Sequence, residues 1–322
     1  MDEVTLVTPE AITKAAERLA GRVVRTPLVH SARLSDELGV EVYLKPENLQ
    51  HTGSFKVRGA INALLARAEA GALPIGVVTF SAGNHAAATS FAARSLDLPV
   101  IVCMPPGAVA TKVEAVRRYG GEIVFTDDLV GSWQSIAADR GYTAMHPFDD
   151  PDVIAGHGTV GTEILADLPQ AGTDSLVVVP VGGGGLISGV ASGLRHGGFA
   201  GRVVGVEPQQ ANAVSYGLRQ GAPEPPPVKQ ASLADGLAPP FAGVNTLAHI
   251  KARVDTIVEI TEDDIRAGWW AMLDTTKMFV EPSGATGLAA IMAGAIEVPH
   301  GGRVVLVLTG GNAARTALAQ LS

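Results

Sequence analysis

Short apolar runs and longer helical stretches alternate along almost the whole chain. Residues 41–45, 76–80, 99–104, 122–125, 175–181, 202–206 and 303–308 are compact and rich in valine and isoleucine, as buried strands are. Between them, residues 9–19, 57–65, 85–96, 109–119, 132–140, 159–168, 186–196, 262–277 and 283–297 read as helices. Thr8 ahead of Pro9, and Thr261 ahead of Glu262, Asp263 and Asp264, read as helix caps. Strands that alternate with helices build a parallel sheet covered on both faces, so the expected class is α/β.

Composition narrows this picture. The chain has 322 residues, of which 47% are hydrophobic and 17% charged, which fits a globular protein with a large core. Its net charge of -8 and lack of a basic run argue against nucleic acid or an anionic membrane as a partner. The single cysteine, Cys103, sits in an apolar run and cannot form an internal disulfide, which fits a reducing compartment. Asp2 and Glu3 are not the start of a signal peptide, and the apolar runs are broken at strand and loop spacing rather than continuous enough to span a membrane. A cytoplasmic location is expected. Residues 221–240 hold six of the 20 prolines and read as a long ordered loop. The chain stops soon after its last strand, so no appended regulatory domain is expected. Trp133 and the pair Trp269-Trp270 read as core.

The candidate chemistry lies at turns. Thr52 to Ala60 reads TGSFKVRGA and puts Lys56 behind a Gly-Ser-Phe turn, at the start of a mostly apolar helix. Partial burial and the positive end of the helix dipole both disfavour its ammonium form, and a neutral amine can form a Schiff base with an aldehyde. The plainer alternative is an exposed lysine on an amphipathic helix. Gly182-Gly183-Gly184-Gly185 joins an apolar run to a helix. Bare amides at a helix N-terminus bind phosphate, and glycines let the backbone approach it closely. A dinucleotide fold is the rival reading, with Glu207 near the place of a ribose-binding acid, yet no phasing of the glycines completes G-x-G-x-x-G. Ser81-Ala82-Gly83-Asn84-His85 is a polar turn whose amides and side chains could hold a carboxylate, although Ser81 also reads as a plain cap and His85 as a surface residue. Thr309 ends the last apolar run. Asp235-Gly236 and Glu281-Pro282-Ser283-Gly284 are weaker signals that caps or turns explain equally well.

The lysine stretch, the SAGNH turn, the four glycines and Thr309-Gly310-Gly311-Asn312, in this order, resemble the fold type II family of pyridoxal-phosphate enzymes. The match is best within the serine/threonine dehydratase and serine racemase group and runs from about Thr26 to Asn312. The resemblance implies two three-layer αβα domains with twisted, mostly parallel sheets and the cofactor in the cleft between them. Residues 1–52 and 149–322 would form the large domain and 53–148 the small mobile one. It implies that Lys56, next to Phe55, carries pyridoxal 5'-phosphate and serves as the base. Gly182 to Gly185 would hold the phosphate, Asn84 would meet the ring hydroxyl, and Thr309 would face the ring nitrogen. Ser81, Ala82, Gly83, Asn84 and His85 would bind the substrate carboxylate.

The implied reaction is β-elimination from a 3-hydroxy amino acid, L-threonine or L-serine, giving 2-oxobutanoate or pyruvate plus ammonia in a homodimeric enzyme. Serine racemase and 3-hydroxyaspartate dehydratase are the alternatives within the family. Two readings of other classes are a Rossmann-type oxidoreductase or ligand-binding protein, and a non-catalytic relative acting as a sensor. Racemase-like relatives carry a serine where Ala82 stands, and it serves as the acid on the opposite face, so inversion is expected to be poor. Such relatives also bind a cation beside a glutamate matching Glu207. By alignment their second carboxylate position is Ala213 here, so no metal is expected.

Overall fold

The computed structural model describes residues 4, 6–81, 83–227, 230–313, 317 and 319. Ala82, Asp2 and Glu3 lie outside the described residues. The first stretch contains α1 (Pro9–Leu19), β1 (Val29–His30), α2 (Ala32–Leu38), β2 (Glu41–Pro46) and α3 (Lys56–Glu69). The second alternates β3 (Val77–Phe80), α4 (Asn84–Arg94), β4 (Val100–Met104), α5 (Ala110–Arg118), β5 (Glu122–Phe125), α6 (Leu129–Arg140) and β6 (Thr143–Met145). The third comprises α7 (Pro151–Asp167), β7 (Ser175–Pro180), α8 (Gly185–His196), β8 (Arg202–Pro208), α9 (Ala213–Gln220), α10 (Val244–Arg253), β9 (Thr256–Ile260), α11 (Glu262–Thr276), α12 (Pro282–Met292) and β10 (Arg303–Leu308).

These strands form two sheets. One is six-stranded in the order β1-β2-β10-β7-β8-β9, and the other four-stranded in the order β5-β4-β3-β6. Among these strands β1 pairs with β2 antiparallel, and the remaining strand pairings are parallel. The α/β expectation with mostly parallel sheets is borne out.

The runs of β2, β3, β4, β7, β8 and β10 look continuous because those strands are buried on both faces, whereas β5 at a sheet edge is only partly covered. Along β10, Val304, Leu306 and Leu308 pack with Trp269 and Leu288 of α11 and α12. The alternate residues Val305 and Val307 pack on the other side with Ile187 and Val190 of α8. The smaller sheet repeats this, with Val100 and Val102 facing α3 and α4 and Ile101 and Cys103 facing α6.

Three expectations need correction. The helix read from Thr159 starts at Pro151, where the Asp150 carboxylate accepts from the Asp152 and Val153 amides. Glycines in its first turns hid that start. They are there for packing, since a Cβ on Gly156 would lie 2.7 Å from the Arg58 carbonyl oxygen of α3. The helix read to Glu297 ends at Met292. Trp270 is 54% exposed, whereas its neighbour Trp269 is buried and donates from Nε1 to the Val280 carbonyl at 2.7 Å. Trp133 is partly buried and donates to the Val78 carbonyl at 3.0 Å.

Parallel strands aim their carboxyl ends the same way, and the turns beyond them are where such sheets gather polar groups. The turns after β3, β7 and β10 are the SAGNH turn, the glycine run and Thr309. The chain leaving β2 runs through a short turn to Lys56, held near β10 by the Phe55 amide donating to the Thr309 carbonyl at 3.1 Å.

Candidate active site

A cavity of about 390 Å³ opens between the two sheets, a size suited to a cofactor with a small substrate. Phe55, Lys56, Ser81, Gly83, Asn84, His85, the four glycines and Thr309 all line it. Residues 260 positions apart in the chain are thus joined; Asn312, for example, donates to the Thr52 carbonyl beside the lysine turn.

Lys56 is the first residue of α3, with Phe55 as the cap residue. Its ammonium position lies 5.1 Å from the centre of the Phe55 ring, and Nζ donates to the Pro147 carbonyl at 2.8 Å. Burial brings the Lys56 pKa down to about 8, so about a tenth of the amine is neutral near pH 7 and the share grows as pH rises. The lysine is partly buried and lines the cavity rather than an open helix surface.

The glycine run is shaped by its neighbours. Gly184 adopts φ +90°, and a Cβ there would also sit 2.9 Å from Cβ of Thr246. A Cβ on Gly183 would meet the Phe148 ring at 2.5 Å. Side chains are excluded at both positions, and no side chain caps α8. Its first-turn amides and dipole remain available to an anion.

In the turn after β3, the Ser81 hydroxyl accepts from the Gly83 amide at 3.0 Å, and Gly83 rather than Ser81 is the cap residue of α4. Asn84 opens α4; its Nδ2 donates to Glu281 Oε1 at 2.6 Å, and its Oδ1 accepts from Asn312 Nδ2 at 2.9 Å. His85 is buried rather than on the surface, with Nε2 3.2 Å from the Thr89 hydroxyl and Nδ1 without a protein partner. Burial, then the nearby Lys56 charge, push its pKa well below the usual value, so its ring is neutral. The Ser283 hydroxyl, in the same lining, is buried without a partner.

One lining residue, Lys112, was not legible in the sequence. Lys112 of α5 forms an ion pair with Asp235 across the cavity mouth. Both, together with Glu281, also line an adjoining hollow of about 600 Å³. The only sequence signal for Lys112 was a charged helix face. Glu207 lies away from the cavity lining; its two carboxylate oxygens accept from the Val214 and Ser215 amides at 2.9 and 2.8 Å, at the start of α9. Burial raises its pKa to about 7.

A partly neutral lysine, an uncapped helix start built from glycines and a hydroxyl at a strand end surround one cavity, and these fit an aldehyde, a phosphate and a ring nitrogen respectively. Together with the two sheets they define a fold type II pyridoxal-phosphate enzyme. The chain belongs to the pyridoxal-phosphate dependent enzyme family, whose model it matches over residues 6–310, and pyridoxal 5'-phosphate is its cofactor. It is 42% identical over 305 residues to an L-threonine ammonia-lyase of Geobacter sulfurreducens, across 94% of this chain and 74% of that one. It is 38% identical to an L-threo-3-hydroxyaspartate ammonia-lyase of a Pseudomonas species, across 94% of each chain. Its fold superposes on that of maize serine racemase with a TM-score of 0.89 at 31% identity, covering 99% of this chain and 97% of that one. The dinucleotide-binding reading is set aside.

Proposed function

We propose that the protein is a pyridoxal-phosphate-dependent ammonia-lyase that converts L-threonine to 2-oxobutanoate, and L-serine to pyruvate, with release of ammonia. The observation that carries this reading is the convergence of Lys56, the glycine run and Thr309 on one cavity. Relatives named L-threonine ammonia-lyase or L-threonine dehydratase, 35–42% identical to this chain, support the substrate choice. 3-Hydroxyaspartate is the second candidate, supported by the similarly named Pseudomonas relative.

Bound in this cavity, the cofactor supplies an electron sink for the negative charge left at the substrate α-carbon. The chain's own groups do the rest. Lys56 would hold the cofactor, and its neutral Nζ would be the base for the α-proton. Phe55 packs beside that amine. The amides of Gly182, Gly183, Gly184 and Gly185 hold the phosphate, with the α8 dipole behind them. Asn84 meets the ring oxygen and Thr309 the ring nitrogen. A neutral hydroxyl does not impose protonation on that nitrogen, which favours expulsion of a β-substituent over a long-lived carbanion. Ser81, Gly83, Asn84 and His85 receive the substrate carboxylate at the start of α4, and Ala82 is assigned to the same group from the sequence. Neutral His85 adds no like charge to Lys56 there.

Residues 1–52 and 149–322 form the large domain of this reading and 53–148 the small mobile one; the separation of β3–β6 into their own sheet supports it. Exposed Leu49, Trp270 and Phe279 support a homodimer. Buried, unpaired Cys103 supports a cytoplasmic setting, and among the described residues no helix is long and apolar enough to cross a membrane. The test is a panel of L-threonine, L-serine and 3-hydroxyaspartate scored for 2-oxo acid and ammonia. Release from threonine or serine is expected. Turnover of 3-hydroxyaspartate alone would move the assignment to that substrate, and no release from any of them would refute it.

A further inference from the structure

On the reading that Asn84 meets the cofactor's ring oxygen, the direction of its carboxamide decides whether it donates or accepts there. Carboxamide orientation is set by hydrogen-bond partners. The Thr52 carbonyl can only accept, so Asn312 turns Nδ2 towards it, at 2.8 Å. The same nitrogen has a second proton, which goes to Asn84 Oδ1 at 2.9 Å. At the other end, Asn84 Nδ2 donates to Glu281 Oε1 at 2.6 Å. The chain of donation runs from Asn312 through Asn84 to Glu281. It uses the Asn84 oxygen and one of its two N–H groups, leaving the other for the cavity that Asn84 lines.

Glu281 is built for this contact. It is the cap residue of α12, yet its side chain makes no bond to that helix. It is buried, and a Cβ on neighbouring Gly310 would lie 2.5 Å from its Oε1 and 3.2 Å from Asn84 Nδ2. Only glycine at 310 leaves the two side chains together. Lys112 of α5 and Asp235 in the turn before α10 are the charged groups acting on it. Burial raises the Glu281 pKa to about 7, with Lys112 pulling it down and Asp235 pushing it up.

We propose that Glu281 and Asn312 are positioning residues that lock the Asn84 carboxamide with one Nδ2 proton directed at the cofactor, so that Asn84 donates to the ring oxygen and favours its anionic form. Without either partner the carboxamide can turn its oxygen inward, where it accepts from the protonated ring hydroxyl and favours the neutral form. The test is titration of cofactor into apoprotein, with the visible spectrum of the loaded protein, for the parent, Asn84→Ala, Glu281→Leu, Glu281→Gln, Asn312→Ala and the double variants with Asn84→Ala. Glu281→Leu and Asn312→Ala should each weaken cofactor binding by ~10-fold, about one charge-assisted hydrogen bond, and shift absorption towards the neutral-ring band. Glu281→Gln, which keeps an acceptor oxygen, should retain part of what Glu281→Leu loses. In the Asn84→Ala background neither substitution should add a further loss. If Asn84→Ala changes nothing, the ring contact itself is wrong. If Asn84→Ala weakens binding while the Glu281 and Asn312 variants do not, or if their losses simply add to it, the positioning role alone is refuted. Should Glu281→Leu not fold, the Asn312→Ala cycle gives the same decision.

Discussion

Arg58 follows Lys56 within the first turn of α3, and its guanidinium is fully buried between two carboxylates. It grips Glu47 through Nε and Nη2, both at 2.8 Å, and Glu163 through Nη1 and Nη2 at 2.7 and 2.9 Å. Lys45 balances the charge, donating to Glu163 at 2.6 Å. The group ties β2, the turn after it, α3 and α7 together directly beneath the lysine helix. Arg58→Met keeps much of the volume and removes one partner from a buried pair. The expected cost is ~3–5 kcal/mol, because Glu47 is left charged and buried. At roughly 2–4 °C per kcal/mol for a chain of this size, the melting temperature should fall by ~6–20 °C. Thermal melts of the apoprotein measure it, and Arg58→Met/Glu47→Leu should recover much of the loss. The pH dependence has a definite sign. Burial pushes the Glu47 carboxyl up, but the charge and hydrogen bonds of Arg58, helped by Thr26 and Lys45, hold it below its ordinary value. Stability from a depressed carboxyl is complete above its unfolded-state pKa and is lost as pH falls through the folded one. The gap between parent and Arg58→Met should be full at neutral pH and close in acid. A shift under ~2 °C, or a double variant no better than Arg58→Met, would refute the reasoning.

Reductive trapping of the cofactor followed by peptide mapping should label Lys56, and capture of cofactor by the apoprotein should speed up as pH rises through about 8, where the amine becomes neutral; a label on another lysine overturns the assignment. Gly184→Asp places a Cβ and a negative charge in a backbone already at φ +90°, and cofactor affinity should drop by ~10-fold or more; unchanged affinity in the folded variant would put the phosphate elsewhere. Chelation should leave activity nearly unchanged, because both Glu207 oxygens are engaged by amides of α9; a saturable loss restored by magnesium or calcium contradicts this. Ala82→Ser should raise inversion of L-serine relative to pyruvate release, measured by chiral analysis, while an unmodified protein that inverts serine as fast as it deaminates it would refute the reading of Ala82.

The strands were legible because burial on both faces leaves an uninterrupted apolar run, as in Val304 to Leu308. The glycine run was legible because no side chain fits at Gly183 or Gly184. Other features depended on contacts that a linear pattern does not carry. The start of α7 was hidden by Gly156, which packs against α3, and Gly158, which packs against α1. His85 looked like a surface residue of a first turn, but it is buried where two elements meet. Glu281 contacts Asn84 across 197 residues, so EPSGA alone read equally well as a cap. Lys112 meets Asp235 across 123 residues and was indistinguishable from the other charges on its helix.

The two charged groupings near the cavity differ in kind, and the difference follows from burial. Arg58, Glu47 and Lys45 have no exposed side-chain surface, and Glu163 has little, so removing one member strands a charge in a medium that solvates it poorly. The Lys112–Asp235 pair has its acid 52% exposed, and exposed pairs contribute at most about 1 kcal/mol. The buried group on the Lys56 helix is thus hard to disturb, while the Lys112–Asp235 contact is easy to break. It is also the contact shared by the cavity and the adjoining hollow. On the proposed reading a fixed lysine and an exchangeable substrate call for that asymmetry, and it arises from how deeply each ion pair is buried.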